Sequence, residues 1–327
     1  MRHPAAGCSA KSGRKTLNPK SEIRNNIKIL NTKIQNRFGH LDFGNLNLFR
    51  ASRFEFRIYE FMQQFTARVS EHQLIAGSFQ YLHLELLKPD RIEFQAGQYL
   101  ILTIDSAKGI RRDYSIGSQP EINHSIELLV DVKPQGPGST YLKNLKIGDQ
   151  VEFVAPFGNF VVAENCLERS DPAAALLFVA TGSGISPVRA MILDLLIVKK
   201  YQSPIKLWWG MRRQEDCFWI EDFDNLEKEY PNFKWDLVLS NPPSDWPLHS
   251  GHVTKHVLDY VQNMAKGQGP RAKGQTNSGF PLAFSPKPLA LDACFYLCGN
   301  KFMIEEVSTK LEEFGINREH IHTEKFF

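Results

Sequence analysis

No stretch of this 327-residue chain is apolar over the ~18 residues that a membrane-spanning helix requires. The best candidate, Ala173 to Ala180, has the length of a buried parallel strand. Excess charge of one sign is lacking too. With 39 Lys and Arg against 36 Asp and Glu, the formal net charge is +3, which calls for neither nucleic acid nor an anionic membrane as partner. Cysteines are few: Cys8, Cys166, Cys217, Cys294 and Cys298. Their spacings match no zinc or disulfide framework, and the odd count points to a reducing, cytoplasmic compartment. The C-x₄-C-x₂-C spacing is absent, so no plant-type iron–sulfur module is expected within these residues, nor any metal site. What remains is ordinary for a globular protein, 42% hydrophobic and 23% charged, and long enough for two domains with proper cores.

The first acidic residue is Glu22, and Met1 to about Lys20 is basic. Residues 1–61 read as a disordered leader. Two alternatives stay open: an organellar targeting peptide, which would be Arg- and Ser-rich and acid-poor, or a true translation start at Met62.

From Gln63 the pattern changes. Phe65 to Val69 and Phe79 to Leu86 alternate apolar and polar residues, and Ile126 to Val132 and Val151 to Val154 are also strand-like. Glycine and proline punctuate these runs at Gly77, Pro89, Gly97, Pro120 and Gly148. Short strands at this spacing predict an antiparallel barrel, closed so that no edge is exposed. Within it, Arg112-Asp113-Tyr114-Ser115-Ile116-Gly117-Ser118 places Arg112 and Tyr114 on one strand face. A flat ring and a planar donor fork side by side suit an aromatic heterocycle and its phosphates. Gly136-Pro137-Gly138-Ser139-Thr140 lets backbone approach a phosphate and is expected to open a helix at Ser139, with that residue as cap.

The second half alternates strands and helices. Leu176 to Ala180 is a continuous apolar run, as in a strand covered on both faces. Thr181-Gly182-Ser183-Gly184-Ile185-Ser186-Pro187 follows, then an apolar helix. Further strands are expected at Ile205–Met211, Trp235–Ser240 and Cys294–Gly299, with helices at Asp222–Tyr230, His252–Met264 and Lys301–Phe314. That order predicts a doubly wound parallel sheet with a ligand beyond the carboxyl strand ends, where Gly182, Gly210, Ser240 and Cys298 fall.

The motifs R-x-Y-S, G-x-x-S, T-G-S-G-I-S-P and Cys298-Gly299-Asn300-x-x-Met303, in this order, resemble the ferredoxin-NADP⁺ reductase superfamily from about Gln63 to Phe327. The resemblance implies a two-domain fold: an FAD-binding β-barrel over 62–165, then an α/β NAD(P)-binding domain over 170–327. A Gly-, Lys-, Pro- and Ser-rich flexible insertion at 265–289 departs from the family, as does Asn300, where relatives carry proline. The resemblance implies an FAD-dependent reductase that takes hydride from NADH and passes single electrons to a ferredoxin, a cytochrome or an oxygenase component.

It further implies that Arg112, Tyr114, Ser115, Ile116, Gly117, Ser118, Gly136, Gly138, Ser139 and Thr140 hold the flavin, FAD rather than FMN. Thr181, Gly182, Ser183, Gly184, Ile185, Pro187, Gly210, Arg212, Ser240, Asn241, Gly299 and Met303 would hold the nicotinamide nucleotide. Ser115, Cys298 and Glu324 would line the hydride path, with Phe326 shielding the flavin face. NADH is expected over NADPH because Asn241-Pro242-Pro243 stands where NADPH users carry arginine, although Arg212 and Arg213 lie close by in sequence. The alternatives are a free flavin or ferric reductase and a non-catalytic flavin- or nucleotide-sensing subunit.

Overall fold

In a computed structural model, residues 63–133, 135–167, 175–265 and 293–326 are described. The leader expected over 1–61, Cys8, Phe327 and, beyond Ala265, the insertion expected over 265–289 lie outside the described residues.

The first sheet is built from β1 (Gln63–Ala76), β2 (Phe79–Lys88), β3 (Tyr99–Asp105), β4 (Ile110–Ser115), β5 (Ser125–Asp131) and β6 (Gln150–Phe157). Its order is β4-β3-β6-β1-β2-β5, and every ladder is antiparallel. The alternation read in the sequence is the alternation of burial: Phe65, Ala67 and Val69 of β1 are fully buried and pack with Leu82 and Leu84 of β2. Edge closure differs from expectation. Among the described residues no ladder joins β4 to β5. The chain leaving β4 instead donates one hydrogen bond, from the Gly117 N–H to the Glu127 carbonyl, at 2.8 Å.

Helix α1 (Pro137–Asn144) lies between β5 and β6. It opens two residues earlier than expected, with Gly136 as N-cap and Ser139 in the third helical position. Proline explains the shift: its fixed φ suits the first helical position, where a missing N–H costs nothing. Ser139 still closes the turn, its Oγ accepting from the Gly136 N–H at 3.1 Å.

The second sheet is built from β7 (Leu176–Thr181), β8 (Ile205–Met211), β9 (Phe233–Leu239), β10 (His249–Ser250), β11 (Cys294–Asn300) and β12 (Ile321–Phe326). It is parallel, in the order β10-β9-β8-β7-β11-β12. Its helices are α3 (Ile185–Leu193, continued by a π turn over Asp194–Val198), α4 (Ile220–Glu229), α5 (Val253–Ala265) and α6 (Lys301–Glu313). A short α2 (Glu164–Leu167) precedes the sheet. Two cores share the strands by parity. Leu176, Phe178, Ala180, Trp209 and Tyr296 pack on one face, and Leu177, Val179, Trp208, Phe295 and Leu297 on the other. Each large apolar side chain so buried contributes about 2 kcal/mol, which fixes strand register.

One expectation is overturned. Cys166 of α2 and Cys294, the first residue of β11, form a disulfide across a sequence separation of 128. No spacing rule reports such a pair, because its two cysteines meet only once α2 folds back onto the sheet. The cysteine count therefore carries no argument about compartment. Cys217 and Cys298 are free.

Candidate functional site

The carboxyl ends of β7, β8 and β11 face β4 and the start of α1 across a cleft of about 1300 Å³. Arg112, Tyr114 and Ser115 line one wall together with Gly136, Gly138 and Ser139. Thr181, Gly182, Ser183, Gly210, Arg212, Ser240, Gly299 and Met303 line the other, and Glu324 and Phe326 of β12 stand between.

The flavin wall is a close fit of backbone to side chain. A Cβ on Gly138 would overlap the Tyr114 hydroxyl and come 2.9 Å from Arg112 Cγ, so only glycine lets α1 approach β4 here. The first turn of α1 is thereby set against the Arg112 side-chain stem, and the two line the same cleft, an arrangement suited to a pyrophosphate. Burial pushes the Tyr114 phenol up to about 12, so the ring stays neutral. These residues fit FAD: a cation, helix N–H groups and a flat aromatic ring occur in one wall.

The nicotinamide wall is held by its own hydrogen bonds. Thr181 Oγ1 accepts from the Asn300 N–H at 2.7 Å, and the Trp209 indole donates to the Gly182 carbonyl at 3.2 Å. Gly299 has φ +123°, and a Cβ there would collide with Thr181. The asparagine that departs from the family pattern has a structural account. Asn300 caps α6, its side-chain oxygen accepting from the N–H groups of Phe302 at 2.8 Å and Met303 at 3.4 Å.

Glu324 pairs in register with Cys298, and one of its carboxylate oxygens is buried without a hydrogen-bond partner. Burial, helped by the Asp113 carboxylate, raises its pKa to about 7. A second cavity of about 250 Å³, lined by Tyr99, Asn159 and His322 among others, also reaches Glu324. Glu324 thus lines both cavities with a carboxyl that burial inclines toward its protonated form.

Several expected residues lie behind these walls. Cys298 is fully buried, and burial, with Glu324 adding to it, raises its thiol pKa well above the usual range. Its backbone packs against Gly184, which has no room for a Cβ. Ile116 donates its N–H to the Gln98 carbonyl, while Gly117 and Ser118 bond to Glu127 of β5, with Ile116 and Ser118 buried. Thr140, Ile185, Pro187 and Asn241 are not among the lining residues. Asn241 instead donates its N–H to the Arg212 carbonyl at 2.8 Å, fixing the loop after β9 against the loop after β8. The sequence reading missed Lys133 and Gln135 ahead of α1, and Phe302, which is 76% exposed at the cleft. No short-range pattern marks these three. It also missed Arg189 of α3, whose partner lies 62 residues away.

A cleft between an antiparallel flavin-cradling sheet and a doubly wound parallel sheet defines a nicotinamide-dependent flavoprotein oxidoreductase. Residues 66–162 match the Oxidoreductase FAD-binding domain and residues 178–309 the Oxidoreductase NAD-binding domain. The chain belongs to the ferredoxin-NADP⁺ reductase superfamily, and its cofactors are FAD and NAD(H).

It is 31% identical over 228 residues to the F component of the Na⁺-translocating NADH-quinone reductase of Neisseria meningitidis, covering 66% of this chain and 49% of that one. It is 31% identical over 268 residues to the phenol hydroxylase P5 protein of Acinetobacter pittii, covering 81% and 66%. The reductase component 1 of a Comamonas terephthalate 1,2-dioxygenase is 28% identical over 270 residues, covering 82% and 69%. The chain thus spans about half the length of the quinone reductase relatives it matches. Among solved structures, the Amycolatopsis cytochrome P450 reductase superposes with a TM-score of 0.66 at 24% identity, covering 81% of this chain and 70% of that one. That likeness supports the fold.

Proposed function

We propose that the protein is an NADH-dependent reductase that delivers electrons to a protein acceptor: a ferredoxin, a cytochrome or an oxygenase component. The observation that carries this reading is the single cleft onto which the Arg112–Ser115 strand, the Thr181–Ser183 turn and Glu324 all open. The domain limits are part of the proposal, with 62–165 carrying FAD and 170–327 carrying the nicotinamide nucleotide. Bound FAD supplies a hydride acceptor that gives its electrons back one at a time.

The chain's own residues bind, orient and exclude water. Arg112 and the N-terminus of α1, with Gly136, Gly138 and Ser139 at the cleft and Thr140 behind them, would hold the pyrophosphate. Tyr114 would stack and Ser115 hydrogen-bond the reacting edge, with Ile116, Gly117 and Ser118 supporting that strand from behind. Thr181, Gly182, Ser183, Gly299 and Met303 would receive the nicotinamide end, while Gly184, Ile185, Pro187 and Cys298 shape that wall from behind. Gly210, Arg212 and Ser240 would receive the adenosine end, with Asn241 fixing the loop that carries Arg212. Phe326 covers the flavin face until the nicotinamide arrives, and Glu324 holds a proton beside the transfer path. The relative named as a dioxygenase reductase component supports a protein acceptor.

An anaerobic visible spectrum of the FAD-loaded protein, taken before and after NADH or NADPH, tests this. Bleaching of the flavin band faster with NADH supports the reading, and no bleaching with either nucleotide refutes it. Bleaching without any protein acceptor ever accelerating turnover would point to a free flavin reductase.

A further inference from the structure

Arg189 does not line the cleft, yet at its seam it makes an ion pair, a carbonyl contact and a ring contact. It projects from the second turn of α3, the helix that begins as the nicotinamide-binding turn ends. Its Nη1 lies 3.0 Å from Glu127 Oε2 on β5 and 3.5 Å from the carbonyl oxygen of Gly117, in the segment leaving β4. Both side chains of the ion pair are only 18% exposed. The guanidinium also lies 4.4 Å from the centroid of the Trp219 ring. Trp219 is held at φ +53°, a conformation a bulky residue adopts only when its surroundings impose it.

The flavin side of the contact is built as firmly. Glu127 receives the Gly117 N–H on its own carbonyl at 2.8 Å. Its carboxylate is hydrogen-bonded by Tyr81, whose phenol burial pushes strongly upward and so keeps as a donor. One turn back along α3, the Ser186 hydroxyl is buried against Gly117, where a Cβ would come within 2.8 Å of it. The strand that carries Tyr114 and Ser115 and the turn that carries Thr181 to Ser183 are therefore clamped through Gly117.

We propose that Arg189 is a positioning residue for hydride transfer, a latch that fixes the nicotinamide-binding turn against the flavin-binding strand by gripping Glu127 and the Gly117 carbonyl. The proposal rests on the NADH-to-flavin reading above. Its physical basis is the steep dependence of hydride transfer on separation, where a misplacement of about 1 Å costs about 100-fold in rate. A guanidinium suits the task because its planar group can pair with the Glu127 carboxylate while its face rests on the Trp219 ring, which an ammonium cannot do in the same geometry.

The test uses the full chain loaded with FAD. Arg189→Ala should retain FAD and bind NADH within about 3-fold of the unaltered protein, while flavin reduction at saturating NADH slows about 10- to 100-fold. Arg189→Lys should recover part of that loss. Adding Glu127→Ala to Arg189→Ala should slow the reaction no further, since the two residues act through one contact. A second readout needs no turnover: in the FAD-free protein, hydrogen exchange over residues 115–118 and 182–190 should accelerate in Arg189→Ala.

Reduction within about 2-fold of the unaltered rate in FAD-loaded Arg189→Ala would overturn the latch. So would a loss of FAD and thermal stability in which the still-loaded fraction reacts at full rate, the signature of a merely structural role. Should Arg189→Ala not fold, Glu127→Gln keeps the shape and removes the charge, and the same limits apply to it. Failure of the unaltered protein to be reduced by NADH would refute the function proposed above, and unchanged exchange would then separately refute the latch.

Discussion

At the scale of single residues the cleft is governed by what has no room to exist. Gly138 is required because Arg112 and Tyr114 occupy the space of its Cβ. Gly138→Ala should therefore weaken FAD binding about 10-fold or more by pushing α1 off β4, with the circular dichroism of the fold unchanged; a flavin titration by fluorescence checks this. Glu324 supplies a pH-dependent prediction. Its folded pKa, about 7, lies above the usual carboxylate value of 4.5, so the folded state favours the protonated acid. Its stabilising contribution is complete below pH 4.5 and is lost as the pH rises through about 7. The melting temperature of the unaltered protein should fall relative to Glu324→Gln across that window. Parallel curves for the two proteins would show that the carboxyl titrates normally.

At the scale of elements, α2 is four residues long and gains its hold from the Cys166–Cys294 disulfide and from its packing. Closing a loop of this length restricts the unfolded chain by about 5 kcal/mol at most, by the chain-entropy account. Cys166→Ser with Cys294→Ser, or reduction under denaturing conditions, should lower the thermal midpoint clearly while leaving FAD bound to the folded protein. An unchanged midpoint would mean that the bond restrains nothing the packing does not. The loop after β9 is a second such element. Asn241 is tied there to the Arg212 carbonyl, so its side chain rides on a fixed backbone. Asn241→Arg should raise the ratio of kcat/KM for NADPH over NADH by about 10-fold, through a charge-assisted contact to the 2′-phosphate. No change in that ratio would remove the loop from cofactor selection.

At the scale of the whole molecule, two sheets of opposite type meet along one cleft, and the strands were the legible part. Alternation in Phe65–Val69 and the unbroken apolar run Leu176–Ala180 read directly, because each records which faces of its strand are covered. Helix limits read to within about two residues, as at Ile220–Glu229 against the expected 222–230. Three contiguous segments of the expected cradles, Arg112–Ser115, Gly136–Ser139 and Thr181–Ser183, open on the cleft.

What the amino-acid order determined by itself is therefore local: strand faces, glycine turns, and the motifs that placed the chain in its family. The tertiary structure alone decided which distant residues meet. It put Cys166 on Cys294, withdrew Cys298 behind Gly299, and set Asn300 as a cap. It also brought Arg189 to Glu127. The reason is physical. Hydrophobic periodicity is set by each residue's own neighbours along the chain, whereas an ion pair or disulfide between residues 62 or 128 positions apart exists only after two separately specified sheets have packed.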